Sequence, residues 1–242
     1  MKKLRNCIVL SLLSVSAVGA PAGAKKVPRV FVEGFYGLSS VNPTDLNTAR
    51  SGFVWNGTAA SAGLFERLPY FGGALGVRVF RKLMLSLRYE WQRQVLSTTE
   101  VGSGITVADY FVYSPVFLLA ELPLTFRRWM FTLGGGAGYA LKFEFHQQYS
   151  GTLEDITYKA NPIVFCGRAS LGFNLSAHLG VFAEVLYEKA VATSLAAAQS
   201  YSAGVNGSPI TAGQTFKNSA GTSDATADLS GLRYGAGLRA MF

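Results

Sequence analysis

From Leu83 to Gln92 the chain alternates without a break: Leu83, Leu85, Leu87, Tyr89 and Trp91 fall on one parity, Met84, Ser86, Arg88, Glu90 and Gln92 on the other. Apolar residues of a helix recur every three or four positions, so a period of two means a strand with one apolar and one polar face. Beyond the amino terminus no apolar run approaches the ~18 residues that a membrane helix needs. Yet 49% of the chain is hydrophobic and only 15% is charged, well under the roughly 25% of a soluble domain. Many apolar residues dispersed in alternation are the pattern of a transmembrane β-barrel, whose strands face lipid on one side and the lumen on the other.

Eight segments share this character. They run from Arg29 to Ser39, Tyr70 to Phe80, Leu83 onward, Asp109 to Phe126, Trp129 onward, Pro162 to Phe173, His178 to Lys189, and Leu232 to Phe242. Each has the ~10 residues a tilted strand needs to cross a bilayer. The fourth is the least clean, because Phe111, Phe117 and Leu119 share the parity of Glu121. The fifth places Trp129, Phe131, Leu133, Tyr139, Leu141 and Phe143 outward and Thr132, Lys142 and Glu144 inward. Connections after even-numbered strands are short, at Arg81-Lys82, Arg127-Arg128 and near Ser176; those after odd-numbered strands are long, about residues 40–69, 97–108, 146–160 and 190–228. This is the asymmetry of periplasmic turns and extracellular loops. The expected fold is therefore all-β: an eight-stranded antiparallel up-and-down transmembrane barrel over residues 25–242. The last loop carries a possible helical turn at Leu195 to Ala198.

Residues 1–24 read as a secretory signal peptide, with Lys2, Lys3 and Arg5 before the apolar Ile8 to Val18 and an A-x-A site at Ala22-Gly23-Ala24; cleavage after Ala22 also fits. Removing those three basic residues lowers the formal charge from +8 to +5, and leaves Cys166 as the single thiol. A basic exported chain without Lys/Arg clusters points to anionic lipid and not to nucleic acid.

Parity also sorts the charges. Glu33, Glu90, Glu121, Glu144, Glu184 and Glu188 face inward against Arg78, Arg88, Lys142, Arg168, Arg233 and Arg239. In a lumen only wide enough for side chains they must pair, so Glu33, Arg88, Glu90, Glu121, Arg168, Glu184 and Arg233 are expected to form a network, with Arg168 directly opposite Glu184 if the turn centres on Ser176. Arg93 and Lys189 continue lipid-facing parities at the outer rim, where a charge costs little and lipopolysaccharide phosphate lies within reach. The run Gly134-Gly135-Gly136-Ala137-Gly138 opens no helix and lacks the lysine of a phosphate loop, so small residues facing Phe117 and Leu119 explain it better. His146 with Ser150 at the outer end of the fifth strand is a weak catalytic pair, since no third group is recognisable. His178 reads as solvated and Cys166 as filler. No metal-ligand spacing and no cofactor motif is present.

The signal peptide, Leu122-Pro123 near the end of the fourth strand, the glycine-rich fifth strand and a final strand ending in Phe242 together resemble the small eight-stranded outer-membrane barrel superfamily, of OmpA, OmpX and opacity-protein type. The resemblance implies residence in the bacterial outer membrane and a final strand whose Leu238, Ala240 and Phe242 are read by the barrel-assembly machinery. Some members carry a peptidoglycan-binding domain after the barrel; with the last strand ending at Phe242, none is expected here. The expected role is non-enzymatic, in envelope integrity or surface contact through loops whose ligand the residues do not name. A narrow channel for small or hydrophobic solutes ranks second and an outer-membrane lipid enzyme third.

Overall fold

The computed structural model describes residues 30–44, 46–47, 54–55, 58–59, 65–80, 82–99, 106–149, 155–202, 209–217 and 222–242. The signal-peptide segment and Ser150 lie outside them. Eight long strands carry the fold: β1 (Val30–Ser40), β2 (Arg67–Phe80), β3 (Leu83–Thr99), β4 (Thr106–Phe126), β5 (Trp129–Tyr149), β6 (Ile163–Asn174), β7 (Leu179–Ala192) and β8 (Gly231–Met241). Each pairs antiparallel with its sequence neighbour, and β1 pairs with β8 from Phe31↔Met241 to Ser39↔Arg233, which closes the ring. Closure leaves no strand edge, and lipid has no hydrogen bond to offer one. Among the described residues no helix is long and apolar enough to cross a membrane.

The alternation seen in the sequence becomes two surfaces. Val32, Tyr36, Leu38, Leu87, Leu118, Leu133, Val185 and Leu238 are exposed on the outside, while Phe31, Glu33, Phe35, Arg88, Phe117 and Glu184 are buried within. Exposed Phe80, Phe126, Trp129 and Phe242 mark the end with the tight turns, and exposed Tyr139 and Tyr187 the other end. Two aromatic girdles around an apolar band are what a bilayer selects. Arg127 takes a positive φ of 54° in the turn between β4 and β5. In the turn after β6, Ser176 Oγ accepts from the amides of His178 and Leu179 at 3.1 and 3.0 Å.

One expectation fails within β5. Ser114 pairs with Lys142 but Pro115 pairs with Ala140, so Leu141 is an extra residue, a β-bulge. Above it the parity inverts: Phe143 and Phe145 are buried inside, and Lys142 and Glu144 point outward, not into the lumen. The sequence shows no break in alternation here because a bulge leaves none when both faces carry large side chains.

The strands β3, β4 and β5 run to 17, 21 and 21 residues, well beyond a bilayer crossing. Their outer ends join the long loops in a packed cap. Ile156–Lys159 is a further short strand on β5, and Ala196–Ala197 pairs with Lys159 and Tyr158. The segment expected to form a helical turn is thus extended, because Leu195 and Ala197 are buried and the ladder supplies their backbone partners.

Candidate functional site

Two places concentrate chemistry: the lumen, and an outward groove at the rim. In the lumen the ladder of charges starts near the end with the tight turns, where Arg239 Nε donates to Glu33 Oε1 at 2.6 Å. Glu33 Oε2 accepts from Arg168 Nη2 at 2.9 Å, and the same guanidinium reaches Glu121 through Nη1 (2.7 Å) and Glu184 through Nε (2.8 Å). Arg88 takes Glu184 in a two-point grip, 2.5 and 3.0 Å, and donates from Nε to Glu90 at 2.6 Å. Arg233 bonds Glu90 and lies 2.7 Å from Glu188, whose carboxylate accepts from the Tyr113 hydroxyl. The structure therefore brings together the seven residues expected to form the network, and joins to them Glu188 and Arg239, which parity also placed inward, and Tyr113.

Two details of the sequence reading need correction. The turn after β6 centres on Ala177, so Arg168 stands opposite Leu186 and Glu184 opposite Ser170. Arg168 still reaches Glu184 because its side chain is long enough for a diagonal contact. The outward turn of Lys142 and Glu144 removes one charge of each sign, leaving Glu33, Glu90, Glu121, Glu184 and Glu188 against Arg78, Arg88, Arg168, Arg233 and Arg239. Arg78 lies half-buried at the mouth beside the tight turns. Aromatic faces complete the solvation of the guanidiniums: Arg88 is 3.6 Å from the Phe35 ring centre, and Arg168 and Arg239 lie over Phe182 at 5.4 and 5.3 Å.

Above Tyr113 the lumen changes character. Phe65, Phe111, Phe143, Phe145 and Leu195 join one buried apolar cluster that continues into the cap. Phe111 meets Phe143 edge-on at 5.1 Å and Phe65 meets Phe145 at 6.4 Å. Burial under the cap pushes the Tyr158 hydroxyl up to about 12. Cys166 is buried in the same cluster, as filler. Gly136 and Gly138 stand opposite Leu119 and Phe117, and a Cβ on either would strike a carbonyl oxygen of β4.

The groove lies on the outside, across the outer ends of β3, β4 and β5. It encloses about 240 Å³ and is lined by Trp91, Arg93, Tyr110, Val112, Lys142, Glu144 and His146. His146 stacks on Tyr110 with ring centres 4.0 Å apart. Its Nδ1 is 2.9 Å from Thr157 Oγ1 and its Nε2 is 3.2 Å from Glu144 Oε2. A hydroxyl, an imidazole and a carboxylate in line could move a proton, but the amide of Thr157 is itself taken by Tyr201 at 2.8 Å and offers no oxyanion support. His146 and Thr157 are direct cross-strand partners, so their contact follows from register alone. Lys189 sits on the outward face of β7 opposite Phe165, on another part of the ring from Arg93. His178 Nδ1 lies 3.0 Å from the Met241 carbonyl oxygen, so it is held at the turn and not merely solvated. Among the described residues no group of His, Cys, Asp and Glu could hold a metal ion.

In fold the chain is similar to the outer membrane protein OprG from Pseudomonas aeruginosa, with a TM-score of 0.52 at 13% identity over 90% of this chain and 97% of that one. It is less similar to Neisserial surface protein A (TM-score 0.45, 11% identity, 88% and 97% covered) and to Ail, the attachment invasion locus protein of Yersinia pestis (0.45, 13%, 88% and 99%). No family model and no curated protein matches the sequence.

Proposed function

The chain has the fold of the small outer-membrane barrels, and from that premise we propose that it is a closed, non-enzymatic barrel of the bacterial outer membrane that holds a folded extracellular cap for envelope integrity or surface contact. The observation that carries this reading is the continuity of the filling. A charged ladder occupies the lumen from Arg239 to Glu188, and an apolar cluster follows it from Tyr113 into the cap. Eight strands leave an interior only wide enough for side chains, and among the described residues buried charged and apolar side chains follow one another along it. A cap with a buried apolar interior suits a fixed surface, whereas a solute path needs a wet or movable one.

Two partners belong to the same proposal. Arg93 and Lys189 at the rim contact lipopolysaccharide phosphates, and Leu238, Ala240 and Phe242 present the final strand's outward face to the barrel-assembly machinery. Leu238 and Phe242 are exposed on that face. Planar-bilayer recording with the purified full chain tests the sealed lumen: the expected result is no steady current, and a steady ohmic conductance would overturn the proposal in favour of a channel.

A further inference from the structure

The groove over β3, β4 and β5 exists because of Leu141. Without the bulge, Lys142 and Glu144 would face the lumen and Phe143 and Phe145 the membrane; with it, the same four residues build a polar notch outside and part of the apolar cluster inside. Bulges commonly re-aim side chains at functional edges. The notch lies next to the exposed outer-face residues Tyr89, Leu118 and Tyr139, so an outer-leaflet lipid can reach it.

Its chemistry has two parts. The walls are aromatic: Trp91 on one side, and Tyr110 backed by His146 on the other. The charges are mainly positive. Glu144, the groove's single carboxylate, is engaged by Lys159 Nζ at 3.4 Å and by His146. Arg93 and Lys142 have no carboxylate within ion-pair distance among the described residues; they lie instead over the rings of Tyr110 and Trp91, at 5.2 and 5.6 Å. Among the described residues these two cations rest on aromatic faces outside any ion pair, so they can swing onto an anion without first breaking a salt bridge.

We propose that this groove binds the phosphorylated sugar headgroup of an outer-leaflet glycolipid, with Arg93 and Lys142 on phosphate and the rings of Trp91 and Tyr110 against the apolar face of the sugar. Phosphate paired by Arg is a charge-assisted bond of the stronger kind, and aromatic rings at the headgroup level set depth. The inference rests on the outer-membrane placement above and deepens it, since a rim cation becomes one half of a formed site. It separates Arg93 from Lys189, which does not line this groove.

The test uses the purified full chain in detergent, titrated with bisphosphorylated lipid A, with its dephosphorylated form, and with inorganic phosphate, bound lipid being counted by native mass spectrometry. Folding of every variant is checked first by its heat-shifted band. The expected result is that lipid A binds, that loss of its phosphates or the double change Arg93→Ala, Lys142→Ala weakens binding about tenfold or more, and that Lys217→Ala, at an exposed cap position outside the groove, leaves it within about twofold. Equal weakening by Lys217→Ala means diffuse surface attraction and overturns the site. Inorganic phosphate binding as tightly as lipid A overturns the lipid as its source. Cell fractionation reads the placement separately, so a chain found in the inner membrane that still binds lipid A would sink the location and not the groove.

Discussion

Glu184 holds two of the lumen's guanidiniums at once. It accepts from both terminal nitrogens of the Arg88 guanidinium and from Arg168 through a third bond, so its removal leaves two fully buried cations short of a partner. Breaking a buried ion pair from one side costs about 3–5 kcal/mol because the remaining charge is stranded without water. Glu184→Ala is therefore expected to lower stability by about that amount in urea unfolding from lipid vesicles, and Glu184→Gln by less, because the amide oxygen still accepts. An unchanged midpoint for Glu184→Ala would mean that water already reaches the guanidiniums. Gly136 makes the opposite point about space. A side chain there meets the Leu118 carbonyl oxygen and the Leu119 side chain, so Gly136→Val is expected to cost about 1–3 kcal/mol by overpacking, measured in the same way. That the lumen would be charged was legible from parity; which cation meets which carboxylate was not, since the turn at Ala177 shifts the register by two residues and long side chains pair diagonally.

Among the elements, the strands were the most legible part. The segment from Pro162 to Phe173 became Ile163–Asn174, and His178 to Lys189 became Leu179–Ala192, because alternation between a lipid face and a lumen face leaves little freedom in register. The bulge was hidden, since Leu141 and its neighbours suit a strand on either parity, and only the partner strand's count reveals an extra residue. The cap was hidden for another reason: Ala, Ser and Gly carry little pattern, and Leu195 and Ala197 are placed by contacts distant in sequence. Deleting Leu141 is the decisive change at this scale. It would drive Lys142 and Glu144 into the apolar cluster and expel Phe143 and Phe145. The expected outcome is a barrel that still assembles through its lower half but whose cap loses protection in limited proteolysis. A cap as resistant as before would show that β5 absorbs the deletion elsewhere and that Leu141 does not set the groove.

For the whole molecule, what matters is the seam. Seven of the eight strand pairs join neighbours in sequence and close over far shorter separations than the eighth, in which β1 and β8 meet from opposite ends of the chain. Contacts of such long separation are the last to be rewarded during folding, and until this one forms, two unpaired edges face lipid. Its last rung is at Phe242, whose amide donates to the Val30 carbonyl oxygen at 2.9 Å and whose carbonyl accepts from the Val30 amide at 3.2 Å. The Phe242 ring is exposed on the outer face at the end that carries the tight turns, where an aromatic girdle sits. Deleting Phe242 removes both bonds and the ring together, so it is expected to reduce the membrane yield of the folded, heat-shifted band several-fold. Gln199→Ala, at an exposed position of the cap, should leave that yield unchanged. Urea unfolding of whatever folded protein the deletion yields separates two causes. A normal midpoint with a low yield places the defect in assembly, as a recognition signal requires, and a lowered midpoint places it in the seam. Equal yields from both variants would sink the assigned role of the final strand.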